Sequence, residues 1–341
     1  MYVDLMIQPD LRTAADEAAA AEAAGYDMAW AAETNHDVFM SLVPAAAATE
    51  RIRLGTSIAV AFGRSPMITA SAAWDLNDYS RGRFILGLGS QVRAHIERRF
   101  SMPWSAPARR MREYVAALRA IWDSWQFSEP LDFAGEFYKH TLMPPFFRPE
   151  PNDYGGPKLM LAAVGAEMTK TAAETADGLL VHPFTTRRWL DEHTLPVVRE
   201  GLLARSADLS SFELSCAVFV VTGRDDEEMA AAIRGTKKQI AFYGSTPAYR
   251  RVLELHGWDD AYERLHELSQ TGGWQQMADV INDEMLDAFA VVAPADGVGP
   301  ALLGRFAGVL DRVSLYTPYK LDPDARSSAV DSIRAAARVK G

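Results

Sequence analysis

Glu33-Thr34-Asn35-His36-Asp37 is the densest polar segment that follows any apolar run in this chain. A histidine there can move a proton near neutral pH. Asn35 can both donate and accept, as a cofactor carbonyl or ring nitrogen requires. Glu33 is a further candidate for a substrate or phosphate contact. The plainer reading is a solvated loop in which Asn35 or Asp37 caps the next helix. Gly55-Thr56-Ser57-Ile58 offers backbone groups, or is an ordinary strand with a glycine bulge. Gly87-Leu88-Gly89-Ser90-Gln91-Val92-Arg93 carries two glycines, which let a ring or phosphate approach the backbone. Arg93 could pair a phosphate or carboxylate bidentately, or be a helix-surface charge. Ala162-Ala163-Val164-Gly165-Ala166-Glu167 opens a helix with small residues, where free N–H groups converge on an anion; plain helix initiation is its other reading. His182 closes another apolar run and is a weaker candidate, while His256 and His266 read as structural.

These segments need elements to hold them, and the chain alternates short apolar runs with longer helical ones. Strands are expected at 2–7, 26–31, 52–60, 84–88, 158–163, 178–182, 212–221 and 312–316. Helical stretches separate them, such as Ala-rich 11–24 stopped by Gly25, and 65–79 opened by Ser65-Pro66. Pro44 is placed in or near the first turn of a helix over 38–49, and Pro196 as a kink in a helix over 187–205. Two stretches break the rhythm: about 126–151, with a small hairpin at 133–138, and about 245–287, helical and rich in Trp and His. Eight strands, each followed by helical sequence, favour an α/β fold of the (β/α)8 TIM-barrel kind. The chain then reads as a single domain over 1–341, with insertions after strand four and after strand seven. An open dinucleotide-binding sheet would want a Gly-x-Gly-x-x-Gly turn after its first strand. The turn here is Gln8-Pro9-Asp10-Leu11, with no glycine. In a barrel, chemistry sits at the C-terminal ends of the strands, where the segments above fall.

Composition narrows the function classes. The chain has 341 residues, 48% of them hydrophobic, enough for a sizeable core. The net charge is -10, and Arg98-Arg99 with Arg109, Arg110 and Arg112 read as solvated helix faces, so no nucleic-acid partner is expected. The one cysteine, Cys216, lies in an apolar run and reads as core. No His/Asp/Glu spacing reads as a metal site, so none is expected. A nucleophile elbow and a phosphate-binding Gly-Lys-Ser/Thr loop are both missing, which removes support for acyl transfer and nucleotide hydrolysis. With no secretory leader and no long apolar run, a cytoplasmic protein without a membrane partner is expected.

Several ordered motifs carry a resemblance. They are Ala24-Gly25-Tyr26-Asp27, Asn35-His36, Arg53-Leu54-Gly55-Thr56-Ser57 and Gly63-Arg64-Ser65-Pro66. The most specific is Arg81-Gly82-Arg83-Phe84-Ile85-Leu86-Gly87-Leu88-Gly89, and Ala176-Asp177-Gly178 and Asp311-Arg312-Val313 complete the set. Over about residues 1–320 the chain resembles the luciferase-like monooxygenase superfamily, in particular its branch using the deazaflavin coenzyme F-420. The resemblance implies a TIM barrel, a cofactor across the strand ends, and a non-prolyl cis peptide matching Ser57-Ile58 behind the ring. It implies ring-edge contacts at Asn35 and Ser90, neighbouring contacts at Gly89, Gln91 and Ala163, and phosphate contacts at Val164, Gly165 and Ala166. It makes His36 the proton-transferring residue. The family's deazaflavin enzymes often carry Asp where Asn35 stands. Some of its sugar-phosphate dehydrogenases carry an acid where Val92 stands. A glucose-6-phosphate dehydrogenase is therefore disfavoured, and the proton donor is different or unnecessary.

The expected activity is hydride transfer between F-420 and a small organic substrate. The alternatives are an FMN-dependent monooxygenase using reduced flavin and oxygen, and a non-catalytic barrel. Family habit implies a homodimer. The aromatic insertion with Tyr243, Trp258, Tyr262 and Trp274 is expected to cover the substrate pocket or pack the dimer.

Overall fold

A strand forms where β-branched and apolar residues alternate with tight turns, and the ten-stranded sheet of the computed structural model, which describes residues 1–340, consists of the short strands Ala59–Val60 and Ala290–Val292 and eight main strands. They are β1 (Tyr2–Ile7), β2 (Met28–Ala31), β3 (Arg53–Thr56), β4 (Phe84–Gly89), β5 (Lys158–Ala163), β6 (Gly178–Val181), β7 (Glu213–Val221) and β8 (Arg312–Tyr316). Neighbours in sequence are neighbours in the sheet, and β6 also pairs with β7, so the strands close as a parallel (β/α)8 barrel. The sequence-based boundaries agree to within a residue or two, except in the third strand. That strand stops at Thr56 and resumes as Ala59–Val60, which pairs beside β4 at Leu88 and Gly89. The interruption is Ser57-Ile58, whose peptide is cis, as the resemblance implies.

Local chemistry sets the helices. Ser65 Oγ accepts from Ile68 N, with Pro66 at the first position of Pro66–Tyr79. Asp37 accepts from Phe39 N and Met40 N at the start of Val38–Ala47. Pro44 lies in the second turn of that helix, not its first. The burial of Leu42, Ala45 and Ala46 outweighs the lost backbone bond. Pro196 does not kink a regular helix; a wide π-turn, Leu190–Thr194, precedes Leu195–Ala204 and accommodates the missing N–H. Arg110 is not solvated: it is 6% exposed, donates to Tyr138 Oη at 2.8 Å, and stacks over Phe62. Only a partnered guanidinium tolerates such burial. Arg109 and Arg112 do lie on exposed faces, paired with Glu136 and Glu174.

The chain packs as two compact units. The first comprises Asp4–Leu180 with Val197–Glu213. Its inner layer is Met28, Trp30, Ile85, Met160 and Leu180, with the Trp30 indole donating to buried Asp4 at 2.9 Å. Gly87 admits β3 against β4: a Cβ there would lie 1.9 Å from Thr56 O, and Thr56 Oγ1 bonds both Gly87 N and Gly87 O. The first insertion's hairpin is Phe133–Ala134 with Lys139–His140, two residues longer than expected. The second unit comprises Met1–Val3, Val181–Pro196 and Leu214 onward. Here the second insertion supplies helices Arg250–Leu255, Asp259–Thr271, Met277–Val280 and Asp283–Phe289. They pack Leu253, Leu265, Met285 and Phe289 around Phe184 and Phe219. Cys216 is buried, and burial pushes its thiol up to about 12.

Gly87→Ala should lower the urea-unfolding stability by about 3 kcal/mol, because the close approach to Thr56 leaves no room. Gly304→Ala, in an open helical position, should raise it by roughly 0.5–1 kcal/mol. Equal effects in one denaturation series would contradict the close-approach reading.

Candidate functional site

The loop after β2 is anchored from below. Ser57 N donates to Ala31 O at 2.7 Å, and Glu33 N donates to Ile58 O at 3.1 Å. The Glu33 carboxylate accepts Val60 N at 2.7 Å and both terminal nitrogens of Arg64, at 2.5 and 2.8 Å. Arg64 continues to Asp37 at 2.9 Å. Glu33 is therefore fully engaged inside the protein, and its side chain is only 6% exposed. The pair ties the ends of β2 and β3 to the helix that Asp37 caps.

Asn35 and His36 ride on this anchored loop and are exposed. Asn35 Oδ1 accepts from Thr34 Oγ1, which leaves its amide N–H groups outward. Asp10 lies near enough to His36 for its carboxylate to feel the imidazole. Its own pKa is held well below the usual carboxylate range, first by the Arg12 side-chain hydrogen bond. Asp10, placed after β1, was visible in the sequence only as part of the turn Gln8-Pro9-Asp10-Leu11. Arg64 was visible only inside a family marker.

Ser57, Ile58 and Ser90 are half-buried at the ends of β3 and β4. Gly89 abuts the Ile58 side chain, where a Cβ would come within 2.9 Å. Gln91 has a left-handed φ of 61°, with its side chain turned back to Val92 N. Arg93 pairs with Glu97 one helical turn on, both on an exposed face. After β5, Val164, Gly165 and Ala166 are exposed and Ala163 half-buried. Gly165 caps helix Ala166–Thr175 with no side-chain hydrogen bond, and a Cβ on it would meet nothing within 4 Å. Apart from Ile58, Gln91 and Val164, these three successive strand ends present backbone and small side chains.

The second unit has its own cluster at strand ends. His182, just after β6, accepts Phe184 N on Nδ1 at 3.1 Å and bonds Tyr249 Oη through Nε2 at 2.9 Å. It stacks on Tyr249 at 4.5 Å and meets the edge of Tyr243 at 4.8 Å. Tyr316, the last residue of β8, bonds Tyr243 hydroxyl to hydroxyl at 3.1 Å. Burial lowers His182 to about 4 and raises Tyr249 to about 12. No sequence signal pointed to Tyr249. The other insertion histidines hold structure: His256 bonds Thr186 and stacks on Trp258, and His266 bonds Ser245 O. Among the described residues no cluster of three or more His, Cys, Asp or Glu forms a metal site, and no helix is long and apolar enough to cross a membrane.

Comparison with known proteins places this geometry in context. The family model described as luciferase-like monooxygenase matches residues 3–311. An uncharacterized protein of Mycobacterium tuberculosis is 56% identical over 313 residues, 92% of each chain. A second protein of that organism, named as a coenzyme F-420-dependent oxidoreductase, is 30% identical, covering 83% of this chain and 84% of its own. Among solved structures, the F-420-dependent tetrahydromethanopterin reductase of Methanopyrus kandleri superposes with a TM-score of 0.79. It covers 97% of both chains at 21% identity.

The His182 environment predicts a pH dependence. A base whose folded pKa lies below its unfolded value costs stability as it is forced to protonate. Stability should therefore be complete above pH 6.5 and fall as pH drops toward 4, by about 3 kcal/mol. Denaturant titrations at pH 7 and pH 4.5 check this: His182→Phe should remove that part of the acid loss, and an unchanged loss would contradict it.

Proposed function

The chain belongs to the luciferase-like monooxygenase family and is an enzyme, and on that premise we propose that it transfers a hydride between coenzyme F-420 and a small organic substrate. The observation that carries this reading is the run of three strand ends, β3 to β5, surfaced by Ser57-Ile58, Gly89-Ser90 and Ala163 to Ala166. Apart from Ile58, which lies against Gly89, and Val164, the side chains there are those of Ser, Gly and Ala. The name of the 30% identical relative supports F-420 as the group that fits there.

In this reading Ser57 and Ile58 support the back of the ring, while Asn35, Ser90 and Gln91 meet its polar edge. The backbone of Val164, Gly165 and Ala166 takes the phosphate end. Bound F-420 supplies the carbon that gives or takes the hydride. The chain's own tasks are binding, orientation and proton management. His36 holds or moves the proton at the substrate oxygen or nitrogen, and the Asp10 carboxylate lies nearby. The Glu33–Arg64 pair keeps that loop in place rather than contacting substrate.

A titration with F-420 and with FMN, each oxidised and reduced, tests the cofactor. F-420 should bind at least about tenfold more tightly, a difference of roughly 1.4 kcal/mol that one well-placed contact to a part of F-420 that FMN lacks supplies. Equal or stronger FMN binding, with substrate-dependent oxygen uptake, would favour the monooxygenase instead. A screen of small carbonyl compounds for oxidation of reduced F-420 supplies a substrate. With it, His36→Asn should lower kcat by about 100-fold while leaving F-420 affinity nearly unchanged.

We further propose a homodimer. Leu142, Phe146 and Phe147 of the first insertion stand exposed, Phe146 at 90%. They frame a cleft of about 700 Å³ floored by Trp74 and Trp125. Apolar surface of this kind on a folded chain marks an association face. Light scattering should give a dimer mass for the wild type and a monomer for the Phe146→Ser, Phe147→Ser double variant; a monomeric wild type would refute the proposal.

A further inference from the structure

The aromatic cluster at the ends of β6, β7 and β8 has a proton that nothing in the described chain uses. Phe184 N–H can only donate, so the Nδ1 of His182 that it reaches, at 3.1 Å, must present a lone pair. The neutral ring then carries its hydrogen on Nε2. An imidazolium would set two N–H groups against each other at Nδ1. Nε2 must therefore donate to Tyr249 Oη, 2.9 Å away. The Tyr249 hydroxyl accepts that bond, and its own hydrogen has no acceptor among the described residues. The nearby pair Tyr243–Tyr316, at 3.1 Å, uses one of its two hydroxyl hydrogens internally and leaves the other free.

We propose that Tyr249 is a substrate-binding hydrogen-bond donor, aimed by His182, that grips the neutral carbonyl oxygen of an aromatic or similarly flat organic substrate. Half-buried Tyr243 and Tyr316 give aromatic surroundings suited to a flat body, buried Phe184 backs Tyr249, and no charged side chain bonds this hydroxyl. Tyr243, Tyr249 and Tyr316 are half-buried. Burial keeps the phenol protonated and the imidazole neutral around pH 7, so the donor persists through the physiological range. Tyr249 would touch substrate; His182 acts through it and is a positioning residue. The assignment rests on the reading of the chain as an oxidoreductase of a small organic substrate, but it concerns a different part of the barrel from the cofactor surface.

Calorimetric titration of the full chain, without cofactor, uses acetophenone, ethylbenzene and benzoate as probes. Acetophenone should bind about tenfold more tightly than ethylbenzene, the effect of one well-placed neutral hydrogen bond. Benzoate should bind no more tightly than acetophenone. Tyr249→Phe should abolish the ketone preference with an unchanged melting temperature. His182→Phe should weaken it, and His182→Gln should restore it, because the amide can accept from Phe184 N and donate to Tyr249. Imidazole ¹⁵N NMR, assigned by comparison with His182→Gln, should show a bare Nδ1 and a protonated Nε2 at pH 7. A missing ketone preference in the wild type, including no measurable ketone binding, overturns the proposal. So does a preference that survives in Tyr249→Phe, tighter benzoate binding, or an imidazolium signature. Because no cofactor is present, these outcomes are independent of whether F-420 binds.

Discussion

Glu33 joins three pieces of backbone that would otherwise be independent loops. Its N–H holds Ile58, its carboxylate holds Val60 N, and the same carboxylate grips Arg64, which reaches Asp37 at the head of the next helix. A buried carboxylate is tolerated only when its lone pairs are answered, and here one bidentate guanidinium and one backbone donor answer them. Everything proposed for Asn35 and His36 depends on this anchor. An exposed loop tied at one residue can hold a proton carrier in a defined place, whereas a free loop cannot.

The second constraint is space. Gly87 lets β4 pass Thr56, and Gly89 lets the Ile58 side chain lie against the strand end. Gly55 does the same for Met28 and Trp30 in the inner layer. In the unit of Asp4–Leu180 large side chains thereby fill the inner layer, while the ends of β3 to β5 carry mostly small ones. The histidines at strand ends differ too, with an exposed one after β2 and a half-buried one after β6.

Much of the architecture was legible along the chain because it follows from local rules. Alternating apolar runs located all eight strands, Ser65-Pro66 marked a helix start, and Gly25 marked a helix stop. The misreadings came where tertiary packing overrode a local rule. Arg110 looked like a surface charge because nothing nearby in sequence announces that Tyr138 and Phe62 enclose it. Pro44 was placed too early because a buried helix tolerates the defect that an isolated one would not. Glu33 looked like a free ligand because its partner stands thirty-one residues away.

The sequence alone determined the order of strands and helices, the family, and the short list of residues near strand ends, since periodicity, turn chemistry and motif spacing are written in neighbouring residues. Only the tertiary structure decided which of those residues are spent and which are free. It engaged Glu33 and Arg93 in ion pairs, left Asn35 and His36 exposed, and brought Tyr249 from the second insertion onto His182. Hydrogen bonds and burial act between groups that touch, and contact across a barrel joins residues whose separation along the chain carries no signal.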